Sequence, residues 1–178
     1  LGIKIKSDDV GKEKLMAWAL DNQHTLKEVY LAGGEPLLMK ENQEFLKNLD
    51  KNVKLRINTN LSNIDDRNPL FNLIKQFKNV EWTISVDNTH DRYEYTRYGS
   101  NWGNFVRYCQ GLASNNQYEF IFNVVYFVGN AMTLDQDITV LSELIPQAKF
   151  SVNPVFHECL TSSNLSEHLK PIAKQNLK

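Results

Sequence analysis

A glycine pair followed by an acid and a proline is the segment of this sequence best suited to hold a small ligand. It reads Gly33-Gly34-Glu35-Pro36 and follows the apolar run Glu28–Ala32. The two glycines let the backbone approach a ligand closely, and Pro36 restricts Glu35 to extended geometry. The carboxylate and the neighbouring carbonyls can then accept hydrogen bonds from an ammonium group. An ordinary strand-to-helix turn is the alternative interpretation of these four residues.

Polar side chains also end the next two apolar runs. The first run ends in Asn58-Thr59-Asn60, and the second in Ser85-Val86-Asp87. Because alternate residues of a strand share a face, Ser85 and Asp87 point together, and a hydroxyl with a carboxylate suits a ribose diol. The alternatives are a polar turn at 58–60 and a structural hydrogen bond at Asp87.

Two further polar residues lie where a ligand can meet them. Arg97 follows Asp87 by ten residues, and a guanidinium can clamp a carboxylate with two hydrogen bonds. Asn123 interrupts an apolar run, so its amide must either line a pocket or bond a neighbouring strand. Four aromatic residues near Arg97 can stack on a base or pack a loop onto a helix: Tyr93, Tyr95, Tyr98 and Trp102.

The two cysteines match no metal motif. Cys109 lies on the apolar face of a predicted helix and is expected to be a buried small hydrophobe. Cys159 follows His157 by two residues, which is a weak metal signal. So few cysteines, so far apart, favour a reducing, cytoplasmic setting.

Strand-like and helix-like periods alternate along the chain and must position these residues. The predicted strands, expected to be buried on both faces, are Glu28–Ala32, Val53–Thr59, Val80–Val86, Glu119–Val128 and Ala148–Val155. The predicted helices are Asp9–Asn22, Glu41–Leu49, Pro69–Phe77, Asn101–Ser114, Leu134–Ile145 and Leu165–Gln175. Three helices carry expected N-caps, at Asn68 before Pro69, at Thr133 with Gln136, and at Asn164 with Glu167.

This alternation predicts an α/β domain of parallel strands joined by right-handed crossovers, whose ligands gather at the carboxyl ends of the strands. The length of 178 residues favours one domain. The formal net charge of −1 predicts no general affinity for nucleic acid, and no apolar run predicts a membrane span.

In their order along the chain, these strand ends resemble the core of the radical S-adenosylmethionine (radical SAM) enzymes, closest to the group with a twitch or SPASM-like extension. The segment Ala32–Leu38 looks like the family's GGEP motif. The resemblance implies that Gly33, Gly34, Glu35 and Pro36 meet the amino group of SAM and that Arg97 meets its carboxylate. It further implies that Ser85 and Asp87 hold the ribose, that the Asn123–Val125 backbone flanks adenine, and that Asn58, Thr59, Asn60 and Asn123 line the SAM or substrate side.

The sequence departs from the family at the loop that holds its iron–sulfur cluster. In the family a CxxxCxxC loop before the GGEP strand binds a [4Fe-4S] cluster, whereas no cysteine precedes Cys109 here. The expectation is therefore a truncated core, an open partial TIM-like barrel without the first strand of the family's (βα)6 core. Such a chain has no catalytic residue of its own, binds SAM but no cluster, and is inactive alone.

The resemblance also sets the expected organisation and partners. Residues 1–155 are expected to be the incomplete core and residues 156–178 the start of a helical extension. The whole protein would generate a 5′-deoxyadenosyl radical that abstracts hydrogen from a peptide or small-molecule substrate. Residues 1–6 alternate apolar and basic, and are expected to extend along the open edge of the Glu28–Ala32 strand or to pair there with a second molecule.

Two other functions remain open on the residues alone. One is a noncatalytic α/β binding module for a nucleoside-like ligand or a protein partner. The other, ranked last, is a metal-free barrel enzyme with Glu35 or Asp87 as general base, and neither carboxylate has a clear acid or nucleophilic partner in the sequence.

Overall fold

The structure, a computed structural model, describes residues 2–4, 9–62, 64 and 67–176. The chain divides into two compact units. The first unit comprises residues 1–84 and 112–120, and the second comprises residues 85–111 and 121–178. No helix in the described part of the chain is long and apolar enough to cross a membrane.

The first unit is built from parallel strands with helices between them. Each strand pairs in parallel with the next along the chain, with Val29 opposite Leu55 and Ile57 opposite Trp82. The strands are β1 Gly2–Lys4, β2 Glu28–Leu31, β3 Lys54–Thr59 and β4 Val80–Ser85. The helices are α1 Asp9–Asp21, α2 Lys40–Asn48 and α3 Pro69–Ile74.

The second unit repeats the alternation on a smaller scale. Its two strands pair in parallel, with Val124 opposite Val152. Its elements are α4 His90–Thr96, α5 Trp102–Ala113, β5 Tyr118–Tyr126, α6 Leu134–Leu144, β6 Lys149–Pro154 and α7 Lys170–Gln175. The end of α5 and the start of β5 belong to the first unit.

The α/β prediction is confirmed, and all five predicted strands are present within two residues of their expected ends. A further strand, β1, pairs with β2, so the expectation that the first residues extend along that edge is confirmed for Gly2–Lys4. The remaining residues of that segment lie outside the described part of the chain. Nothing tests the proposed division at residue 155, which stays a prediction.

Some local predictions are wrong. In β3 buried residues alternate with half-buried ones, so burial on both faces does not hold there. Helix α3 ends at Ile74 because the next turn is closed by i→i+3 bonds, such as Phe77 N–H to the Ile74 carbonyl. Helix α4 was not predicted.

Two of the three predicted caps are also wrong. The Thr133 hydroxyl donates to the Asp137 carboxylate at 3.0 Å instead of capping its helix. The last helix begins at Lys170, because Pro171 favours the first turn, and Asn164 lies in a separate 3₁₀ turn. The Asn68 cap is confirmed, since its Oδ1 accepts from Leu70 N–H and Phe71 N–H.

The less buried face of the first unit's sheet carries a charge network centred on Glu81. Its carboxylate, with a side chain only 10% exposed, accepts from Lys54 Nζ at 2.9 Å and from Arg56 Nε at 2.7 Å. Lys54 also contacts the exposed Glu119 at 2.8 Å. Burial opposes the ionisation of Glu81, but the hydrogen bonds from Lys54 and Arg56 outweigh it and lower the pKa.

The Glu81 network gives a testable pH dependence. Because the folded-state pKa is lowered, the stabilisation is present above the pKa of an unfolded glutamate, about 4.3, and is lost as pH falls through the folded value. We expect Glu81→Gln to lower the free energy of unfolding by about 1.5–3 kcal/mol at neutral pH. The variant should also lack the part of the stability that the unaltered chain loses as pH falls. Urea denaturation at a series of pH values measures both effects.

The matched control is Glu119→Gln, which removes an exposed partner of the same lysine. It should cost no more than about 1 kcal/mol. Equal losses in the two variants, or an unchanged acid profile in Glu81→Gln, would contradict this account.

Candidate functional site

The glycine pair after β2 adopts a backbone conformation that other residues rarely take. Gly33 has φ +93° and Gly34 has φ +55°, both in the left-handed region that favours glycine. A Cβ on Gly34 would lie 3.1 Å from the Met39 methyl carbon. Both glycines are exposed, so their backbone groups are accessible.

The Glu35 carboxylate anchors this loop to the end of β3. Its Oε1 accepts from the Thr59 hydroxyl at 2.7 Å and from Leu37 N–H at 3.3 Å. Its Oε2 accepts from Asn60 N–H at 3.0 Å. Both oxygens are therefore engaged within the first unit, and Glu35 fixes the conformation of the glycine loop.

The polar residues that end β3 organise their own turn. Thr59 is 2% exposed, and its oxygen accepts from Leu61 N–H at 3.0 Å. Asn60 Oδ1 accepts from Ser62 N–H at 2.9 Å. Thr59 and Asn60 thus bond Glu35, while Asn58 is half-buried within β3.

In the second unit, the Asp87 carboxylate joins two elements. Its Oδ2 accepts from Arg97 Nη2 at 2.8 Å, and its Oδ1 accepts from Val125 N–H at 3.0 Å. Ser85 and Asp87 are half-buried on either side of the fully buried Val86. The structure therefore brings Asp87, Arg97 and Val125 together, with Asp87 bound to protein groups.

Arg97 keeps donor capacity beyond its ion pair. It ends α4, with its N–H bonded to the Tyr93 carbonyl at 2.9 Å. The side chain is 21% exposed, and its buried Nε has no partner among the described residues. A guanidinium has five N–H donors, so this one can still bind an anionic group.

Asn123 and Val125 are tied to their neighbours in the second unit. Asn123 Oδ1 accepts from Asn153 Nδ2 on β6 at 2.8 Å, so the strand-bonding alternative describes this side chain. The Val125 N–H is used by Asp87, and its carbonyl accepts from Asn130 Nδ2 at 2.8 Å. Their proposed contacts with a ligand remain predictions.

Two buried polar residues that support this region were not predicted. Asn130 is fully buried and also donates to the Asp87 carbonyl at 2.8 Å, while its Oδ1 accepts from Phe127 N–H. Asp137 is 1% exposed and accepts from Thr89. Asn130 lies 43 positions from Asp87 and Asp137 lies 48 positions from Thr89, so the only signal in the sequence was a polar residue near apolar ones.

The aromatic residues around Arg97 divide between packing and exposure. Tyr93 is buried against Trp102 and Phe105, with ring centroids 5.5 and 4.9 Å away. Tyr95 and Tyr98 are 88% and 100% exposed. Packing therefore accounts for Tyr93 and Trp102.

The residues of this chain do not fit a [4Fe-4S] cluster. Such a cluster takes several cysteine thiolates, and the 178 residues contain two cysteines. Cys109 is fully buried, as predicted, and burial raises the pKa of its thiol to about 12. Cys159 N–H donates to His157 Nδ1 at 3.3 Å. Among the described residues, no group of three His, Cys, Asp or Glu side chains is placed to hold a metal ion.

Each unit, taken by itself, holds a group whose chemistry suits one part of SAM. The backbone carbonyls of the exposed Gly33 and Gly34 are hydrogen-bond acceptors. Arg97 offers a partly exposed guanidinium held in place by Asp87. An ammonium group suits the glycine carbonyls, and a carboxylate suits the Arg97 guanidinium.

No protein-family model matches the sequence, and no curated protein matches it either. Solved structures do match. Streptococcus suis SuiB bound to S-adenosylmethionine has a TM-score of 0.64 at 15% identity, over 98% of this chain and 40% of that chain. Native anSMEcpe with bound AdoMet has a TM-score of 0.61 at 17% identity, over 97% of this chain and 50% of that chain.

A domain of pyruvate-formate lyase-activating enzyme from Bacteroides vulgatus matches with a TM-score of 0.55 at 15% identity, over 84% of this chain and 92% of that chain. These structural neighbours are radical SAM enzymes. This chain spans less than half the length of SuiB and half that of anSMEcpe. At 15–17% identity this likeness shows the fold, so the chain shares with these structures an α/β fold of alternating parallel strands and helices.

Proposed function

We propose that this chain is the SAM-binding part of a radical SAM enzyme. The observation that carries the proposal is the glycine loop after β2, exposed at Gly33 and Gly34 and fixed by the Glu35 carboxylate. The fold shared with two SAM-bound proteins supports it. Fixing a loop before the ligand arrives lowers the entropy cost of binding.

The proposed roles in the first unit follow from this anchoring. The backbone of Gly33 to Pro36 receives the amino group of SAM, and Glu35 acts by holding that backbone. Asn58, Thr59 and Asn60 line the SAM or substrate side, with Thr59 and Asn60 also serving as the anchor of Glu35.

The proposed roles in the second unit centre on an ion pair. Arg97 binds the carboxylate of SAM, while Asp87 and Ser85 hold the ribose and the backbone at Asn123–Val125 flanks adenine. Because both Asp87 oxygens already accept hydrogen bonds, a ribose contact requires Asp87 to share an oxygen, which has lone pairs for more than one donor.

Reductive cleavage of SAM is not assigned to residues of this chain. The family's reaction needs a cluster on cysteine thiolates, and those thiolates would have to come from outside these 178 residues. When bound, such a cluster supplies the electron that the chemistry requires. What this chain contributes to that reaction is binding and orientation of SAM.

The substrate class stays open between a peptide and a small molecule. Two neighbours were solved with peptides, SuiB with precursor peptide SuiA and anSMEcpe with Cp18Cys peptide. A third, TYW1, has a lysine-pyruvate adduct. A cytoplasmic location and self-association at the β2 edge remain proposals from the sequence, and in the structure β1 covers that edge.

The alternative of a noncatalytic binding module differs in its ligand. It predicts that SAM and an adenosine-like compound without the amino acid part bind with equal affinity. Comparison of SAM with 5′-methylthioadenosine, which lacks the amino acid part, therefore separates the two functions.

We expect Arg97→Met to weaken SAM binding by about 10- to 100-fold, which is the value of one charge-assisted contact. Binding of 5′-methylthioadenosine should change little, because that ligand has no carboxylate and Asp87 keeps its hydrogen bonds with Val125 and Asn130. NMR titration of the 178-residue chain with each ligand measures both affinities. The control is Arg107→Met, the same charge change at an exposed position of α5. Equal weakening for the two ligands would contradict the role of Arg97.

We expect Glu35→Gln to weaken SAM binding several-fold and to lower the free energy of unfolding by about 1–3 kcal/mol. The amide cannot accept from Thr59, Leu37 and Asn60 together, because one of its two positions is a donor. The control is Glu44→Gln, an exposed acid on α2. Titration with SAM and urea denaturation check the two effects. If Glu35→Gln lowers the free energy of unfolding but leaves the SAM affinity unchanged, the claim that the glycine loop binds the ligand is contradicted.

A further inference from the structure

Asp137 is a buried carboxylate that the proposed SAM contacts do not use. Its side chain is 1% exposed, near the start of α6. Its Oδ1 accepts from Thr89 N–H at 2.9 Å, from the Thr89 hydroxyl at 2.6 Å and from Arg92 Nη2 at 2.9 Å. Its Oδ2 accepts from the Thr133 hydroxyl at 3.0 Å. A buried charge is tolerated when it is satisfied in this way.

These hydrogen bonds hold the turn between β4 and α4. Thr89 is the residue before α4, and Arg92 lies in its first turn. The next residue, His90, has φ +55°, a conformation that costs a non-glycine residue free energy and persists only where its surroundings impose it. Asp137 bonds the residue immediately before this strained position, so it supplies part of that constraint.

A line of backbone hydrogen bonds connects Thr89 with Arg97. Tyr93 N–H donates to the Thr89 carbonyl at 3.3 Å, and Arg97 N–H donates to the Tyr93 carbonyl at 2.9 Å. Tyr93 is 2% exposed and packs on Phe105, so the middle of this line is fixed. A shift of Thr89 therefore moves the backbone that carries the Arg97 side chain.

The same turn carries the partner of Arg97. Asp87 lies two residues before Thr89 and accepts from Arg97 Nη2 at 2.8 Å. Thr89 is thus linked to both members of the ion pair. It follows Asp87 by two residues, and the backbone hydrogen bonds of α4 connect it to Arg97. Fixing Thr89 therefore fixes the backbone that carries Arg97, whereas Asp87 is also held by Val125 N–H on its carboxylate and by Asn130 Nδ2 on its carbonyl.

We propose that Asp137 is a positioning residue that holds the Arg97 guanidinium on Asp87 by fixing Thr89 and the first turn of α4. The effect on Arg97 itself is independent of the ligand, whereas the effect on SAM affinity rests on the proposed function. Asp137 does not touch the ligand in this account.

The test compares Asp137→Asn with Asp135→Asn, an exposed acid two residues earlier on the same helix. We expect Asp137→Asn to weaken SAM binding by about 3- to 10-fold, within the range of coupled neighbouring groups, and to leave 5′-methylthioadenosine within twofold. In an Arg97→Met background the same change should alter SAM affinity less than twofold. Asp135→Asn should alter neither ligand. Equal weakening for both ligands, or an undiminished effect without Arg97, overturns the proposal.

A second readout needs no ligand. Arg97 Nε is buried, so its N–H signal should be visible and slow to exchange in the NMR spectrum. The signal should shift or exchange at least tenfold faster in Asp137→Asn and stay unchanged in Asp135→Asn. If the unaltered chain does not bind SAM, the proposed function fails and this signal alone decides the role of Asp137. An unchanged signal overturns it.

A milder variant covers the case in which Asp137→Asn does not fold. Arg92 has a side chain that is 44% exposed, so Arg92→Met removes one bond to Asp137 without opening the core. It should move the Arg97 signal and the SAM affinity in the same direction by a smaller factor. No movement in this variant also contradicts the proposal.

Discussion

Where a parallel strand ends, the backbone N–H groups of the following loop lose their partners in the sheet, and a buried N–H without a partner is costly. In this chain carboxylates accept from N–H groups of such loops and from one N–H near the end of a strand. Glu35 accepts from Asn60 N–H after β3, Asp87 from Val125 N–H in β5, and Asp137 from Thr89 N–H before α4. The loops that carry the candidate site have their conformation because these acids hold them.

This constraint changes what the acidic residues do. Sequence motifs alone suggest that Glu35 and Asp87 face a ligand, but their oxygens are engaged by protein groups in the structure. The contacts with the amino acid part of the ligand are left to what these acids hold in place, which is an exposed glycine backbone and a partly exposed guanidinium. The acids therefore contribute preorganisation, which makes binding more favourable by reducing the ordering that binding requires.

The sequence predicted the strands and the start of α3 well because both depend on local patterns. Alternation of β-rich and amphipathic runs located five strands, and the Asn68-Pro69 pair located the start of α3. The role of Asp137 could not be predicted, because Thr89 and Arg92 lie on another element 48 and 45 positions away. Thr133 was misleading for a local reason, since its hydroxyl donates to Asp137 four residues later and does not cap α6. Asn123 shows the same limit, because a pocket and a neighbouring strand satisfy an amide equally well in a sequence.

A crystal structure of the 178-residue chain with SAM tests the central claim most directly, because it locates the amino acid part of the ligand. The account predicts the SAM carboxylate within hydrogen-bond distance of the Arg97 guanidinium, with the Asp87–Arg97 ion pair retained. SAM bound with its carboxylate away from Arg97, or no SAM at saturating concentration, would contradict it.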